Sequence, residues 1–445
     1  MKNNKFTSTW GFILTTVGSA VGMANVWGFP YKLAANGGGA FLLVYLFFIA
    51  IFAYFGLSAE YAVGRYSETG TLGSYEKAWS HVKLSKLGKA IGFLPLLGSI
   101  CIAIGYAVII SYVLKSLFQS LTGSLMTIDA DTWFKSFSST NFSVVHFHFI
   151  VIVITLLTCV SGAHSIEKAN KIMMPLFFVL FVILAIRVAF LPNAFSGYKF
   201  MFTPDWKMLL DPKVLVSAMG QAFFSLSITG SGMIVCGAYL NKDEDIMGGA
   251  KQTAIFDTIA AMVAALVMIP ALFSFSENPE GGPGLLFVTL PKILQNMVGG
   301  RIFAIALYLA VLFGGISSLQ NMFEVVCESI LHNFKSLNRK TVLIFIGLVA
   351  FIPGIFMEPI GGVPGAILGG WGPWMDLVSI YIIPMGATLG AFSWFWIMDR
   401  DALIGEINIG SKKTYTKTWY YLGKFIYVPM AMILCFIALY YKIAF

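Results

Sequence analysis

Apolar residues gather along this chain in long runs, separated by short segments that hold most of the charge. An α-helix needs about 20 apolar residues to cross a bilayer. Such runs recur at approximately 10–36, 39–63, 90–120, 145–163, 168–191, 214–240, 246–275, 301–332, 341–357, 375–398 and 418–442. The pattern predicts an all-α, multi-pass membrane protein with about eleven helices in one transmembrane domain spanning 1–445.

Two runs are interrupted at their centres. The first contains Gly18, Gly22, Asn25, Gly28 and Pro30; the sixth reads Gly220-Gln-Ala-Phe-Phe-Ser-Leu-Ser-Ile-Thr-Gly-Ser-Gly232. Glycine and proline are poor helix formers, and a backbone broken in hydrocarbon must find partners for its N–H and C=O groups. Either segment alone is explained equally well by close helix packing. Together they open two successive sets of five helices, and an odd-numbered repeat places its copies in opposite orientations. The expected repeats are 10–191 and 214–398, followed by a last helix at 418–442. Matched interruptions in inverted halves mark the binding site of a secondary transporter. Unwinding bares carbonyl oxygens for a cation, and half-helix N-termini for a carboxylate. The expected substrate is small, carries a carboxylate and travels with a cation. The first unwound stretch is expected to run from Gly18 through Gly22.

Composition agrees with a membrane protein. The 445 residues are 58% hydrophobic and 11% charged, against about 25% charged in soluble domains. The net charge of +8 does not point to nucleic acid, because the basic residues fall in alternate loops. Lys2 and Lys5, Arg65 to Lys89, Lys168 and Lys171, Lys242 and Lys251, Lys335 to Lys340, and Arg400 to Lys417 all lie on one side. Positive-inside bias puts that side, with the N-terminus, in the cytoplasm and the C-terminus outside, although Lys199, Lys207 and Lys213 lie opposite. No cleavable signal peptide is evident. Five cysteines inside apolar runs are expected to be buried free thiols. With no nucleophile–base pair or metal-ligand cluster in the sequence, no enzymatic activity is expected.

Gly18-Ser-Ala-Val-Gly-Met-Ala-Asn-Val-Trp-Gly-Phe-Pro30 and Asn36-Gly-Gly-Gly-Ala-Phe41 resemble the first-helix signature of the neurotransmitter:sodium symporter family. Glu60-Tyr-Ala-Val-Gly-Arg65, Thr203-Pro-Asp-Trp206, Asp211-Pro212, Gly220 to Ser227 and Gly314-Gly-Ile-Ser-Ser-Leu319 resemble later motifs of the same family. The eleven-helix count is similar to its shorter bacterial branch, which includes tyrosine and hydrophobic amino-acid transporters. The resemblance implies the inverted-repeat leucine-transporter fold and sodium-coupled uptake in a bacterial cell membrane. The implied partners are a small amino acid, sodium ions and membrane lipid, without nucleic acid, in a monomer or weak homodimer.

Two sodium sites are implied. The first takes Ala20, Asn25, Ser225 and a seventh-helix oxygen; the second takes Gly18, Val21, Gly314, Ser317 and Ser318. The family's leucine-preferring pattern has asparagine on the seventh helix where this chain aligns Asp257. Asp257 is therefore expected to ligate the first sodium, and its fixed charge to replace the chloride that many animal members need. A protonated carboxyl satisfied by helix neighbours is the alternative. Implied substrate contacts are Ala20, Met23, Ala24, Ile102, Tyr106, Phe224, Ser225, Ser227, Ile228, Gly230, Ser318 and Met322. Gly230 stands where the leucine-preferring pattern has an aromatic ring, so a larger pocket and an aromatic substrate are expected; a repacked, leucine-sized pocket is the alternative. Gly22 replaces the acid of amine-selective members, which favours free amino acids.

The implied gate residues are Tyr106, Phe224 and Asp376, but Gly28 stands where the family places the arginine that pairs with the acid. Lys2, Asn3 or Lys5 stands near an inner-gate basic residue. Glu60 is expected to brace the unwound first helix, and Glu324 to lie at most behind the site. His146 and His148 are expected at a solvent-facing helix start. A sensor or channel that binds without pumping is the alternative from another class.

Overall fold

The computed structural model describes residues 4–275, 283–359 and 369–443. Among them, regular elements are helical, with one isolated bridge between Gly38 and Pro204. Seven helices among the described residues are long and apolar enough to cross a membrane: Gly39–Ser67, Ser85–Thr122, Ala163–Ala189, Ile246–Phe275, Gly300–Asn333, Trp371–Ile397 and Lys417–Tyr441. The bent pair Thr9–Ala20 and Ala24–Ala35 makes an eighth span. The remaining predicted spans hold Val145–Cys159, Arg339–Ile355 and the broken pair Pro212–Ser225 and Gly232–Ala238. A short apolar helix, Leu285–Gln295, falls outside the predicted runs.

Local chemistry sets several helix starts. Ser8 accepts from Gly11 N–H at 3.0 Å, Asn338 from Thr341 N–H at 2.8 Å, and Asp399 from Ala402 N–H at 2.8 Å. Each satisfies one amide that the first turn leaves free. Pro212 opens its helix behind the Asp211 cap, a position where a missing N–H costs nothing.

The first interruption is narrower than the sequence implies. Helix persists through Ala20, and Val21 N–H still reaches Val17 O. Val21 is extended, and the chain turns by 59° before Ala24–Ala35. Gly18 therefore stays helical. Its small size serves packing, because a Cβ there would meet the Asn170 side chain and Ser317 Cβ. The sixth-span break runs over 226–231, with Ser227 at φ 52° and Gly230 at φ 74°. The left-handed region suits glycine and strains other residues.

Gly39–Ser67, Ser85–Thr122 and Gly300–Asn333 are two-thirds buried along their most apolar windows, whereas Ala163–Ala189 is one-third buried. The former make the interior around the two breaks. The latter turns Ile172, Val179, Ile186 and Phe190 outward, a continuous apolar face that fits hydrocarbon rather than water.

Candidate functional site

The two breaks lie side by side, and polar atoms gather on both flanks. On one flank Asn25 Nδ2 donates to Asp257 Oδ1 at 2.8 Å, to the Asp257 carbonyl at 3.1 Å and to Ser225 Oγ at 3.2 Å. Ser225 Oγ in turn donates to Asp257 Oδ2 at 2.7 Å. All three residues are fully buried. Asp257 has no ion pair with lysine or arginine among the described residues. A buried carboxylate held only by neutral donors is costly, and a cation would relieve it.

On the other flank the eighth helix meets the end of Thr9–Ala20. Ser317 Oγ donates to Gly18 O at 2.8 Å and to Gly314 O at 2.9 Å. Ser318 Oγ donates to Val21 O at 2.9 Å and to Gly18 O at 3.2 Å. Gly314 itself packs near Val21 O. Five residues distant in sequence thus converge as an all-oxygen set, the donor type that a hard cation prefers.

Between the flanks lies a cavity of about 70 Å³. Met23 N–H donates to the Tyr106 hydroxyl at 3.1 Å at one end. Ala20, Met23, Ala24, Ile102, Tyr106, Phe224, Ser227, Ser318 and Met322 line it, together with Gly22, Ser99, Thr229, Gly232, Asn321, Val325 and Ile383. Of the second group only Gly22 is marked by the sequence, as the position of the acid in amine-selective members. Asn321 and Val325 share a helical face with Ser318 and Met322 at spacings of three and four, and that periodicity was the available signal.

Three expected pocket residues lie elsewhere. Gly230 does not line this cavity: a Cβ there would lie 2.6 Å from Gly386 O and 2.7 Å from Tyr75 Oη. The absent ring at Gly230 therefore opens no pocket volume, because the backbone of the tenth span fills the space. Ile228 faces a neighbouring cavity with Phe223 and Pro384 instead. Ser225 belongs to the Asp257 cluster, and the Phe224 carbonyl accepts Ser227 N–H at 3.0 Å.

A larger cavity of about 340 Å³ adjoins the first. Tyr106 and Phe224 line both and form the partition. Gly28, Lys32, Gln221, Trp371 and Asp376 also line the larger one. The space beside Gly28 belongs to Gln221, whose Oε1 lies 3.5 Å from where a Gly28 Cβ would sit; its Nε2 donates to Ala24 O at 2.9 Å. Trp371 and Trp374 each donate an indole N–H to the third span, at Gly105 O and Cys101 O, both 2.8 Å.

Other expectations are met in some cases and revised in others. Glu60 braces the sixth span rather than the first, accepting Gly230 N–H at 2.7 Å. Glu324 pairs with Arg339 and the Tyr239 hydroxyl, a cluster beyond the site. His148 is fully buried, 3.6 Å from Glu358, while His146 is exposed. Lys5 donates to Ala238 O and Leu240 O at 2.8 and 2.9 Å, capping the carbonyl end of Gly232–Ala238. Lys2 and Asn3 lie outside the described residues. The five cysteines are buried and free.

Two broken helices crossing around a small cavity, with oxygen clusters beside it, define a secondary transporter. The sodium:neurotransmitter symporter family model matches residues 3–140 and 127–444, and the chain belongs to that family. It is 31% identical over 447 residues to the sodium-dependent transporter YhdH of Bacillus subtilis, covering 98% of this chain and 97% of that one. It is 25% identical to the sodium-dependent serotonin transporter of Drosophila melanogaster, over 91% and 72% of the two chains. The crystal structure of MhsT in complex with L-phenylalanine superposes with a TM-score of 0.87 at 32% identity, covering 98% of this chain and 99% of the other. The fold is therefore the leucine-transporter fold, and sodium-coupled transport is the class of activity.

Proposed function

We propose that this protein takes up a bulky hydrophobic L-amino acid, aromatic by preference, together with sodium and without chloride. The observation that carries the reading is the polarity of the small cavity. One end offers the Met23 N–H and Tyr106 hydroxyl, suited to a carboxylate, while Ile102, Phe224, Met322, Val325 and Ile383 supply apolar wall. The aromatic preference rests on this wall and on the likeness to a transporter solved with L-phenylalanine, not on Gly230.

Sodium is a co-substrate in this scheme. One ion sits with Ala20, Asn25, Ser225 and Asp257 beside the substrate carboxylate. For that, the Asn25 amide presents its oxygen, and the Ser225 hydroxyl turns a lone pair inward. The second ion sits among Gly18, Val21, Gly314, Ser317 and Ser318. Asp257 supplies the negative charge that a chloride ion would otherwise bring. With the N-terminus in the cytoplasm, the larger cavity is the outer vestibule. Its closure brings Lys32 to Asp376 over Tyr106 and Phe224, in place of the absent arginine.

Uptake of labelled L-phenylalanine, L-tyrosine and L-leucine into proteoliposomes tests the reading. Concentrative aromatic uptake that requires a sodium gradient and persists in gluconate supports it. Binding without accumulation would indicate a sensor, and leucine outcompeting every aromatic amino acid would sink the pocket assignment.

A further inference from the structure

The small cavity carries a polar feature that an apolar side chain would leave unused. Ser318 marks the Tyr106 end, its Oγ lying 2.7 Å from where a Gly22 Cβ would sit. One helical turn along the eighth span, Asn321 also lines the cavity. Cys236 Sγ donates to Asn321 Oδ1 at 3.5 Å. That contact takes the amide oxygen and leaves Nδ2, a pure donor, on the other edge of the amide. Nδ2 ends 2.8 Å from the position of an absent Gly232 Cβ, and Thr229 Oγ1 lies 3.9 Å from the same point. A glycine at 232 thus keeps open a spot flanked by both polar atoms.

The hydroxyl of Thr229 sits at the end of a hydrogen-bonded chain. Thr229 Oγ1, Ser231 Oγ and Ser99 Oγ form a chain with links of 2.9 and 2.8 Å. The chain ends where Ser99 donates to the Pro95 carbonyl at 3.2 Å. Each hydroxyl has one proton. When Ser99 spends its proton on Pro95, Ser231 donates to Ser99 and Thr229 to Ser231. One Thr229 lone pair faces Gly232 N–H at 3.5 Å, and the other remains for an incoming donor. The spot therefore offers one donor and one acceptor to a single atom, which is the complement of a hydroxyl group.

We propose that the far end of the pocket reads the phenolic hydroxyl of L-tyrosine, with Asn321 donating to it and Thr229 accepting from it. The inference rests on the aromatic reading above and narrows it. Serine and threonine carry their hydroxyl beside Cα and do not reach this end. Phenylalanine reaches it but leaves both polar groups without partners, a penalty that discriminates more strongly than lost apolar area.

Equilibrium competition against labelled L-tyrosine on the full-length protein in saturating sodium tests this. Tyrosine is expected to bind at least about tenfold more tightly than phenylalanine, and O-methyltyrosine, which cannot donate, to fall with phenylalanine. Asn321→Leu and Thr229→Val are each expected to bring the tyrosine-to-phenylalanine ratio to about one. Tyrosine and phenylalanine binding within about twofold of each other, or a ratio unmoved in both variants, overturns the proposal while leaving aromatic transport standing. If no aromatic amino acid competes, the broader reading fails as well. The ligand series needs no variant, so a variant that misfolds does not remove the test.

Discussion

Asn25 Nδ2 lies 2.8 Å from Asp257 Oδ1, joining the restart of the first span to the middle of the seventh. The aspartate is buried with only neutral donors around it, a setting in which a bound cation would stabilise its charge. Asp257→Asn keeps the shape and removes the charge. Apparent sodium affinity should fall by about tenfold or more, since lost buried charge partners cost several kcal/mol. Sodium titration of uptake in chloride and in gluconate checks this. Residual transport in the variant should become chloride-stimulated, and a variant indifferent to both ions would refute the role.

Ser317 and Ser318 converge on the carbonyls of Gly18, Gly314 and Val21. Replacing either hydroxyl by alanine removes one oxygen and leaves the carbonyls in place. Each single variant should raise the half-saturating sodium concentration by roughly three- to tenfold, the worth of one such polar contact. Unchanged sodium dependence in the double variant would place the second ion elsewhere.

Lys32 and Asp376 line the same cavity, and Lys32 lies one helical turn beyond Gly28. Lys32→Asp should slow uptake about tenfold or more by setting like charges across the closing vestibule. The swap Lys32→Asp with Asp376→Lys should recover part of the loss. If the swap is no better than the single variant, the two residues do not form the gate.

Arg65 is buried against Glu406, with Nε 2.6 Å from Oε1. Its other nitrogens serve the carbonyls of Glu244 and Ile409 at 2.6 and 3.0 Å. Arg65→Ala leaves the buried Glu406 carboxylate with Lys242 alone, 3.5 Å away, and strands several carbonyls, a loss of about 3 kcal/mol. Thermal unfolding in detergent should show a clear fall in melting temperature, larger than for Arg400→Ala on the exposed pair with Asp401.

Gly230 separates two readings by one substitution. If it lined the pocket, Gly230→Ala would merely narrow it. With φ at 74° and Gly386 O at 2.6 Å from the new Cβ, alanine should instead destabilise the fold by about 1–3 kcal/mol. A variant with unchanged melting temperature and altered substrate preference would restore the pocket reading.

Hydropathy and two glycine-rich interruptions sufficed for the helix count and for the broken first and sixth spans, because both are local properties of the chain. The oxygen clusters were legible only through resemblance, since Ser317 and Gly18 are nearly 300 residues apart and no spacing links them. What stayed hidden was direction. Sequence marks Gly230 as an absent ring, yet cannot show that the tenth span's backbone occupies the space. Asn321 could have been found from its face of the eighth helix, but its free amide edge depends on Cys236, a partner set by folding. The exact break failed for a related reason: Gly18 is small to admit Ser317, not to unwind.

The ties across the two breaks have a mechanical consequence. Gln221 holds Ala24 O at 2.9 Å, and Asn36 Nδ2 holds Ser217 Oγ at 3.2 Å. Lys5 holds Ala238 O and Phe6 N–H holds Tyr239 O at 3.0 Å, while Ser227, inside the sixth-span break, holds Ser19 O at 3.2 Å. Each half of the first span is therefore clamped to one half of the sixth, above the joint or below it. The molecule has two jaws, each a stapled pair of half-helices, and their shared pivots are Val21–Gly22 and Leu226–Ser231. A ligand seated at those pivots would touch both jaws at once, so its fit would decide whether one could close as the other opened.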